Sequence, residues 1–170
     1  EKGEGRMERE EGKRRKKGKM IGGGIITLLL IGYIFCLPRQ LFHVPYSTVV
    51  TDRNNELLGA RIAPDGQWRF PPRTTTPAKI QACFIEFEDN HFFHHWGVNP
   101  VSIGRAAYQN LKAGRVISGG STITMQTIRL ARNNPRTFSE KFIEMIWATR
   151  LEFRYSKEKI LSLYVSHAPF

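Results

Sequence analysis

The chain has 170 residues, with 26 Lys and Arg against 15 Asp and Glu, and a net charge of +11. This length holds one modest globular domain and leaves no room for a large enzyme. The basic excess predicts an anionic partner, such as a nucleic acid, an acidic membrane surface or a phosphorylated substrate. Residues 1–19 carry +4 of the net charge and the remainder carries +7, so both parts are basic.

The first two segments predict a basic tail followed by a membrane anchor. Residues 1–19 are rich in Gly, Glu, Lys and Arg, and this composition predicts a disordered cytoplasmic tail. Residues 20–37 carry no charge over eighteen positions, about the minimum length for a helix that spans a bilayer. A cleaved signal peptide is the alternative, but its apolar part is usually about 7–15 residues and a small-x-small site follows it. We therefore predict an uncleaved transmembrane helix, with everything after residue 37 outside the cytoplasm.

Residues 38–72 are predicted to form a small β stalk or linker. Apolar and polar residues alternate in the runs STVVTD, ELLGARI and QWRF. Turn-forming residues separate these runs at positions 54–55 and 64–66. This pattern is typical of short strands joined by turns.

Residues 73–170 are predicted to be mainly α, because their apolar residues recur at helical spacing. Thr76 is the predicted N-cap of the first of these helices, and Pro77 is its first residue. Cys83 is predicted to lie on its buried face, and since Cys36 lies in the apolar run, a disulfide between them is disfavoured. The predicted buried face consists of Ile80, Cys83, Phe84 and Phe87. Further helices are predicted to start at Pro100, Ser121, Ser139 and Ser156.

Glu88 is a candidate acid or base, because it follows an apolar helix and is surrounded in sequence by aromatic residues. Burial there would raise the pKa of its carboxyl group towards neutral pH. A solvated carboxylate at a helix end is the plainer alternative. His91 and His95 are four residues apart, but without thiols or an HExxH pattern they are better interpreted as packing residues than as zinc ligands.

Three later segments contain groups suited to phosphate. Residues 119–122, GGST, place glycines and hydroxyls at a predicted helix start, although an ordinary loop-to-helix junction has the same pattern. Arg136, Lys141 and Glu144 would cluster if a helix begins near Ser139, forming either a surface ion pair or a carboxylate beside cations that bind a diphosphate. Lys157 opposes the dipole of the last predicted helix, so it either reaches an anionic ligand or is simply exposed.

Four ordered segments are more specific together than any one alone. They are EDNHFFHHWG at 88–97, GGSTITMQ at 119–126, KFIE at 141–144 and KEKILSLY at 157–164. In order and spacing they resemble the first four motifs of the family 51 glycosyltransferases, the peptidoglycan polymerase domains of class A penicillin-binding proteins. The stretches DGQWRFPP, SGGSTITMQ and HAPF resemble one branch of that class.

The resemblance implies a lysozyme-like helical fold, incomplete at its C-terminal end, that polymerises lipid II, an undecaprenyl-diphosphate-linked disaccharide pentapeptide. Glu88 matches the catalytic base that takes a proton from the acceptor sugar. Glu144 matches the second carboxylate, which acts at the departing diphosphate directly or through Mg²⁺ or Mn²⁺. The bacterial inner membrane is the implied location, with the catalytic part on the periplasmic side near other cell-wall synthesis proteins. The residues matched to substrate-binding positions are Asp89, Ser121, Thr122, Gln126, Arg129, Arg136, Lys141 and Lys157.

The sequence departs from the family pattern at Glu140, where Arg is usual, and at Val165 and Ser166, where Leu-Asn is usual. The chain also stops before the remaining helices of the domain and before any transpeptidase domain, so we expect a fragment or a truncated product. Two alternatives stay open: a lysozyme-like hydrolase that cleaves glycan strands, and an inactive membrane-anchored remnant that binds lipid II. Nucleic-acid binding is set aside, because the predicted topology places the helical part outside the cytoplasm.

Overall fold

The computed structural model describes residues 4–71 and 76–168, with side chains from Lys19 onward. The chain divides into two compact units, Glu1–Cys36 and Leu37–Phe170. Helix α1, Glu4–Phe35, makes up the first unit. The second contains β1 (Thr48–Thr51), β2 (Leu57–Arg61), α2 (Ala78–Glu88), a 3₁₀ turn (Phe92–His94), α3 (Pro100–Ala113), α4 (Ile123–Arg132), α5 (Phe138–Arg154) and α6 (Lys157–His167). The predicted mainly α class is confirmed.

Helix α1 begins much earlier than the apolar run. The prediction of disorder is wrong for residues 4–19, which are helical, and for residues 1–3 it lies outside the described part of the chain. Glu, Lys and Arg have high helix propensity, and extending a helix that is already nucleated costs little. Over the described residues, the structure contains no helix of the length and apolarity that crossing a bilayer requires. The anchor at residues 20–37 therefore stays a prediction.

The two strands pair antiparallel as a hairpin, with Thr48 opposite Arg61 and a register shift between Val50 and Thr51. The first predicted turn is confirmed, since the Asp52 carboxylate accepts hydrogen bonds from the backbone N–H groups of Asn54 and Glu56, both at 2.8 Å. The second is also confirmed: Gly66 has a φ of 75°, and its N–H donates to the Ala63 carbonyl at 2.9 Å. The hairpin accounts for the first two alternating runs, STVVTD and ELLGARI.

The predicted third strand, residues 67–70, is not a strand in the structure. The backbone N–H of Ser47 donates to the Arg69 carbonyl at 2.7 Å, but the Arg69 N–H donates to the Ser47 hydroxyl at 3.1 Å. Because this second bond ends on a side chain, the backbone ladder does not continue. The predicted boundary between residues 72 and 73 lies outside the described residues.

Helix α2 differs from the prediction in its start and in its burial. It begins at Ala78, one residue later than predicted, and the cap position Pro77 makes no side-chain hydrogen bond. None of its residues is buried; Cys83 is exposed, and Phe87 is 88% exposed. The predicted buried face is therefore wrong. Helical spacing gathers apolar side chains on one side, but their burial depends on a neighbouring element, which spacing does not reveal.

The core is built where α4 packs against α5 and α6. Its fully buried apolar side chains include Ile123, Met125, Ile128, Ala148, Leu151, Ile160 and Leu161. Helix α3 begins at Pro100 as predicted, with Asn99 as its cap, and Ser156 caps α6 as predicted. Helix α4 begins at Ile123, two residues after the predicted Ser121, and α5 begins at Phe138, one residue before the predicted Ser139; their caps are Thr122 and Thr137. Adjacent hydroxyl residues can each serve as a cap, and the sequence does not distinguish between them.

Candidate active site

One face of α4 contacts both predicted catalytic carboxylates. Gln126 and Arg129 are three residues apart and so project from the same side of the helix. The Gln126 side-chain amide donates to Glu88 Oε2 at 2.8 Å. Arg129 Nε and Nη2 donate to the two carboxylate oxygens of Glu144, each at 2.8 Å. The helix therefore holds a carboxylate beside a neutral amide and another beside a cation.

Glu88 lies at the C-terminal end of α2 and is exposed, so of the two alternatives the structure has the solvated carboxylate and not the buried one. Its partner amide is oriented by Tyr164, whose hydroxyl donates to Gln126 Oε1 at 3.2 Å. Burial raises the pKa of the Tyr164 phenol to about 12, and the charge of Glu88 adds to the rise. Tyr164 is therefore a hydrogen-bond donor at neutral pH, and it directs the NH₂ group of Gln126 to Glu88.

Glu144 is in the opposite situation, because it is 5% exposed and paired with a guanidinium. Its hydrogen bonds raise the pKa of Arg129, which is cationic in any case. Arg129 Nη2 also donates to the Ser121 hydroxyl at 3.0 Å. Bidentate pairs of this type fix the plane of the guanidinium. Glu144 therefore orients Arg129, and Ser121 lies beside that cation.

Asp89 and His95 join the segment 88–97 to the start of α4. Asp89 is buried, and its Oδ2 accepts hydrogen bonds from the Ile123 N–H at 3.1 Å and from His95 Nε2 at 2.8 Å. The Ile123 N–H belongs to the first turn of α4, where backbone donors have no partner inside the helix. Asp89, predicted to bind substrate, thus holds two internal groups and positions α4.

Thr122 and Lys157 also make internal contacts. Thr122 is buried and its hydroxyl donates to the Gly97 carbonyl at 2.6 Å. Lys157 Nζ donates to the His95 carbonyl at 2.7 Å and to Glu152 Oε1 at 2.8 Å. Both side chains therefore connect elements of the fold, and their substrate contacts stay predictions.

Glu152 and Tyr164 contact the predicted site residues, but neither was among them. Glu152 stands outside the four motifs, yet it accepts hydrogen bonds from Lys157 and from the Thr124 hydroxyl, the latter at 2.6 Å. Tyr164 falls within the last motif, which was the available signal. These hydrogen bonds join residues on different helices, and helical spacing within one segment cannot predict them.

The predicted cluster around Glu144 forms only in part. Its partner is Arg129, and not Lys141 or Arg136; Lys141 is half-buried on α5 and Arg136 is exposed in the preceding loop. Glu140, which stands where the family usually has Arg, pairs with Arg132 at 2.9 Å. The Arg132 guanidinium also lies 4.4 Å from the centroid of the Trp147 ring. The departure at position 140 therefore neutralises one further cation of α4.

A divalent cation at Glu144 does not fit the donor set. Both carboxylate oxygens already accept guanidinium N–H groups. Among the side chains that the structure describes, those of residues 19–71 and 76–168, no three from His, Cys, Asp or Glu gather as a metal site would need. Arg129 supplies the positive charge there. A role for Mg²⁺ or Mn²⁺ at Glu144 stays a prediction, which polymerisation in the presence of a chelator would test.

Of the two glycines before α4, only Gly120 is closely packed. A Cβ at Gly120 would lie 2.7 Å from Ile103 Cα in α3, whereas a Cβ at Gly119 meets nothing within 4 Å. Backbone atoms cannot give way as a flexible side chain does. We expect Gly120→Ala to lower the free energy of unfolding by roughly 1–3 kcal/mol in denaturant titrations. The matched control Gly119→Ala should change it by less than about 0.5 kcal/mol, and equal effects would contradict this packing.

A Transglycosylase family model matches residues 56–170. Penicillin-binding protein 1C of Escherichia coli (strain K12) is 43% identical over 135 residues, which cover 78% of this chain and 17% of that protein. Penicillin-binding protein 1B of the same organism is 39% identical over 132 residues, covering 71% and 16%. Penicillin-binding protein 1F of Bacillus subtilis (strain 168) is 33% identical over 153 residues, covering 86% and 20%. The chain thus spans at most about a fifth of the length of these relatives.

Proposed function

The chain belongs to the transglycosylase family, and from this premise we propose that it polymerises lipid II into glycan strands as a peptidoglycan glycosyltransferase. The single observation that carries the proposal is the α4 face, where Gln126 holds Glu88 and Arg129 holds Glu144. Glycosyl transfer needs a base at the attacking hydroxyl and positive charge at the leaving group. Glu88, at one end of this face, would be the base, and Arg129, at the other end, would supply the positive charge. The same premise supports a lysozyme-like arrangement of the helices.

In the proposed reaction Glu88 removes the proton from the 4-hydroxyl of the acceptor sugar. That oxygen attacks the anomeric carbon of the donor, and the bond from this carbon to the diphosphate breaks, with its electron pair leaving on the diphosphate. Arg129, Arg136 and Lys141 offset the negative charge that develops there. Glu144 keeps the guanidinium of Arg129 in one plane, so its contribution is orientation of that cation.

The exposed position of Glu88 suits a group that must meet a large acceptor. It accepts a hydrogen bond from a neutral amide. Glu144, by contrast, is buried, and both of its carboxylate oxygens accept hydrogen bonds from the Arg129 guanidinium. This division of roles is the reason to assign the base to Glu88.

We also propose that residues 20–37 anchor the chain in the bacterial inner membrane, with the α2–α6 region on the periplasmic side. The run has no charge over eighteen residues and follows a basic cluster at 13–19. Apolar side chains of α1 are largely exposed; Met20 and Phe35 are each 77% exposed. An anchor there would keep the site close to a lipid-linked substrate. Contacts with other cell-wall synthesis proteins are part of the same proposal.

Incubation of the detergent-solubilised chain with labelled lipid II tests this function. Growth of glycan polymer supports the transferase. Lipid II binding without polymer would contradict it and favour the inactive remnant. Shortening of preformed glycan strands would instead favour the hydrolase, although a hydrolase of neutral sugar links has no need for the cations beside Glu144.

The substitution Glu144→Gln is expected to slow polymerisation by about tenfold to a hundredfold. It keeps the shape of the side chain but weakens the bidentate pair that orients Arg129. The rate of polymer formation from labelled lipid II measures the effect. Glu140→Gln, which disturbs the neighbouring pair with Arg132, is the matched control and should change the rate much less. An unchanged rate in Glu144→Gln would contradict the orienting role.

A further inference from the structure

A cavity of about 660 Å³ combines motif residues with the segment that follows β2. Arg129 and Arg136 contribute to its wall from α4 and from the loop after it. Asp65 and Arg69 contribute from the segment after β2, which lies outside the four motifs. The three arginines outnumber the one carboxylate of the wall. The cavity therefore favours an anion.

Arg69 already forms an ion pair with Asp65, and it can exchange this partner for another anion. Its Nη1 contacts Asp65 Oδ2, and this hydrogen bond holds the pKa of the Asp65 carboxyl group below its usual range. The Asp65 side chain is 37% exposed, and ion pairs at such positions contribute little to stability. A more highly charged anion in the cavity can therefore replace Asp65 as the partner of Arg69.

The backbone of Arg69 is fixed beside the cavity. Its carbonyl accepts the Ser47 N–H at 2.7 Å and its own N–H donates to the Ser47 hydroxyl at 3.1 Å. These contacts do not use the Arg69 side chain. Replacement of that side chain consequently leaves the local backbone in place.

His167 lies on the same cavity wall as Arg69. It lines the cavity, is 6% exposed and stacks on Phe42 with ring centroids 3.6 Å apart. Its Nδ1 donates to the Leu163 carbonyl at 2.8 Å, whereas its buried Nε2 has no hydrogen-bond partner among the residues that the structure describes. Burial lowers the pKa of His167, and the charge of Arg69 lowers it further. The imidazole is therefore uncharged at neutral pH and offers no donor to an anion, so the arginines carry the charge of this wall.

We propose that Arg69 is a further binding residue of the donor site. When the ligand binds, the Arg69 guanidinium breaks its contact with Asp65 and holds the diphosphate together with Arg129 and Arg136. Asp65 then competes with the ligand for the guanidinium and limits how tightly the site holds a diphosphate. The identity of the ligand rests on the proposed glycosyltransferase function. The binding of an anion by these residues does not depend on turnover and is tested separately from it.

Titration of the full chain with inorganic diphosphate, followed by calorimetry, tests the inference. Arg69→Gln is expected to weaken binding roughly five- to tenfold, since it removes a charge-assisted contact. Asp65→Asn should tighten binding about threefold, because it frees Arg69. The double variant should bind as weakly as Arg69→Gln alone. Arg61→Gln, at an exposed position of β2, is the matched control and should bind like the parent.

Two results would overturn the inference. If Arg136→Gln weakens binding while Arg69→Gln does not, the anion site exists but Arg69 has no part in it. If Asp65→Asn weakens binding as much as Arg69→Gln, the pair maintains local structure and does not compete with the ligand. Polymer formation by the parent chain is scored independently, so a failure of the proposed function and a failure of this inference give different patterns.

Discussion

Replacement of Glu88 by Gln is expected to lower the rate of glycan polymerisation by about 10³-fold, within the range of 10²–10⁴ for loss of a general base. The amide keeps the size of the side chain but cannot take up the proton of the attacking hydroxyl. Because Glu88 is exposed and contacts the Gln126 amide, the substitution should leave the fold unchanged. The rate of polymer formation from labelled lipid II is the measurement.

The affinity for lipid II separates catalysis from binding in this experiment. We expect Glu88→Gln to bind lipid II about as well as the parent, since the lost function is proton transfer. Glu158→Gln, at an exposed position in the first turn of α6, is the matched control and should polymerise normally. A Glu88→Gln rate within about threefold of that control would be too small for a general base and would reject the assignment.

Replacement of Gly97 by Ala is expected to be the most destabilising of the changes considered. Gly97 has a φ of 81°, and a Cβ there would lie 2.7 Å from the backbone carbon and oxygen of Ala148 in α5. Overpacking costs about 1–3 kcal/mol and a left-handed conformation costs a non-glycine residue roughly 1–2 kcal/mol. The free energy of unfolding should therefore fall by roughly 2–5 kcal/mol in denaturant titrations followed by circular dichroism.

Gly114→Ala separates the two causes. Gly114 ends α3 with a φ of 64°, but a Cβ there meets nothing within 4 Å. Only the conformational cost applies, so we expect a loss of about 1–2 kcal/mol. If Gly97→Ala were no worse than Gly114→Ala, close packing between the 88–97 segment and α5 would not be the reason for glycine at position 97.

The sequence identified the helices well, because their start signals are local. Asn99 with Pro100 and Ser156 each act within one turn, and both caps are present. The failures concern burial. No residue of the apolar stripe of α2 is fully buried, and only Phe84 of the predicted face is half-buried. Glu88 at the end of the helix is exposed, since burial depends on elements distant in the chain.

The same contrast between local signals and distant contacts applies to the residues of the site. The family resemblance pointed to Glu88, Gln126, Arg129 and Glu144, and the structure brings these four together in two pairs. The partner of Glu144 was expected to be Lys141, three residues earlier, because local spacing is visible in a sequence. Its observed partner is Arg129, fifteen residues away on another helix. The identity of such a pair follows from packing of α4 against α5 and has no local signal.

The bonds around Asp89 and Lys157 close a ring through the fold. Asp89 joins the 88–97 segment to the start of α4, Thr124 joins α4 to Glu152, and Lys157 joins Glu152 back to the His95 carbonyl. None of these segments can open by itself without breaking contacts to the others. The ring therefore behaves as one cooperative unit, and a disturbance at the start of α6 is transmitted to the segment that carries Glu88.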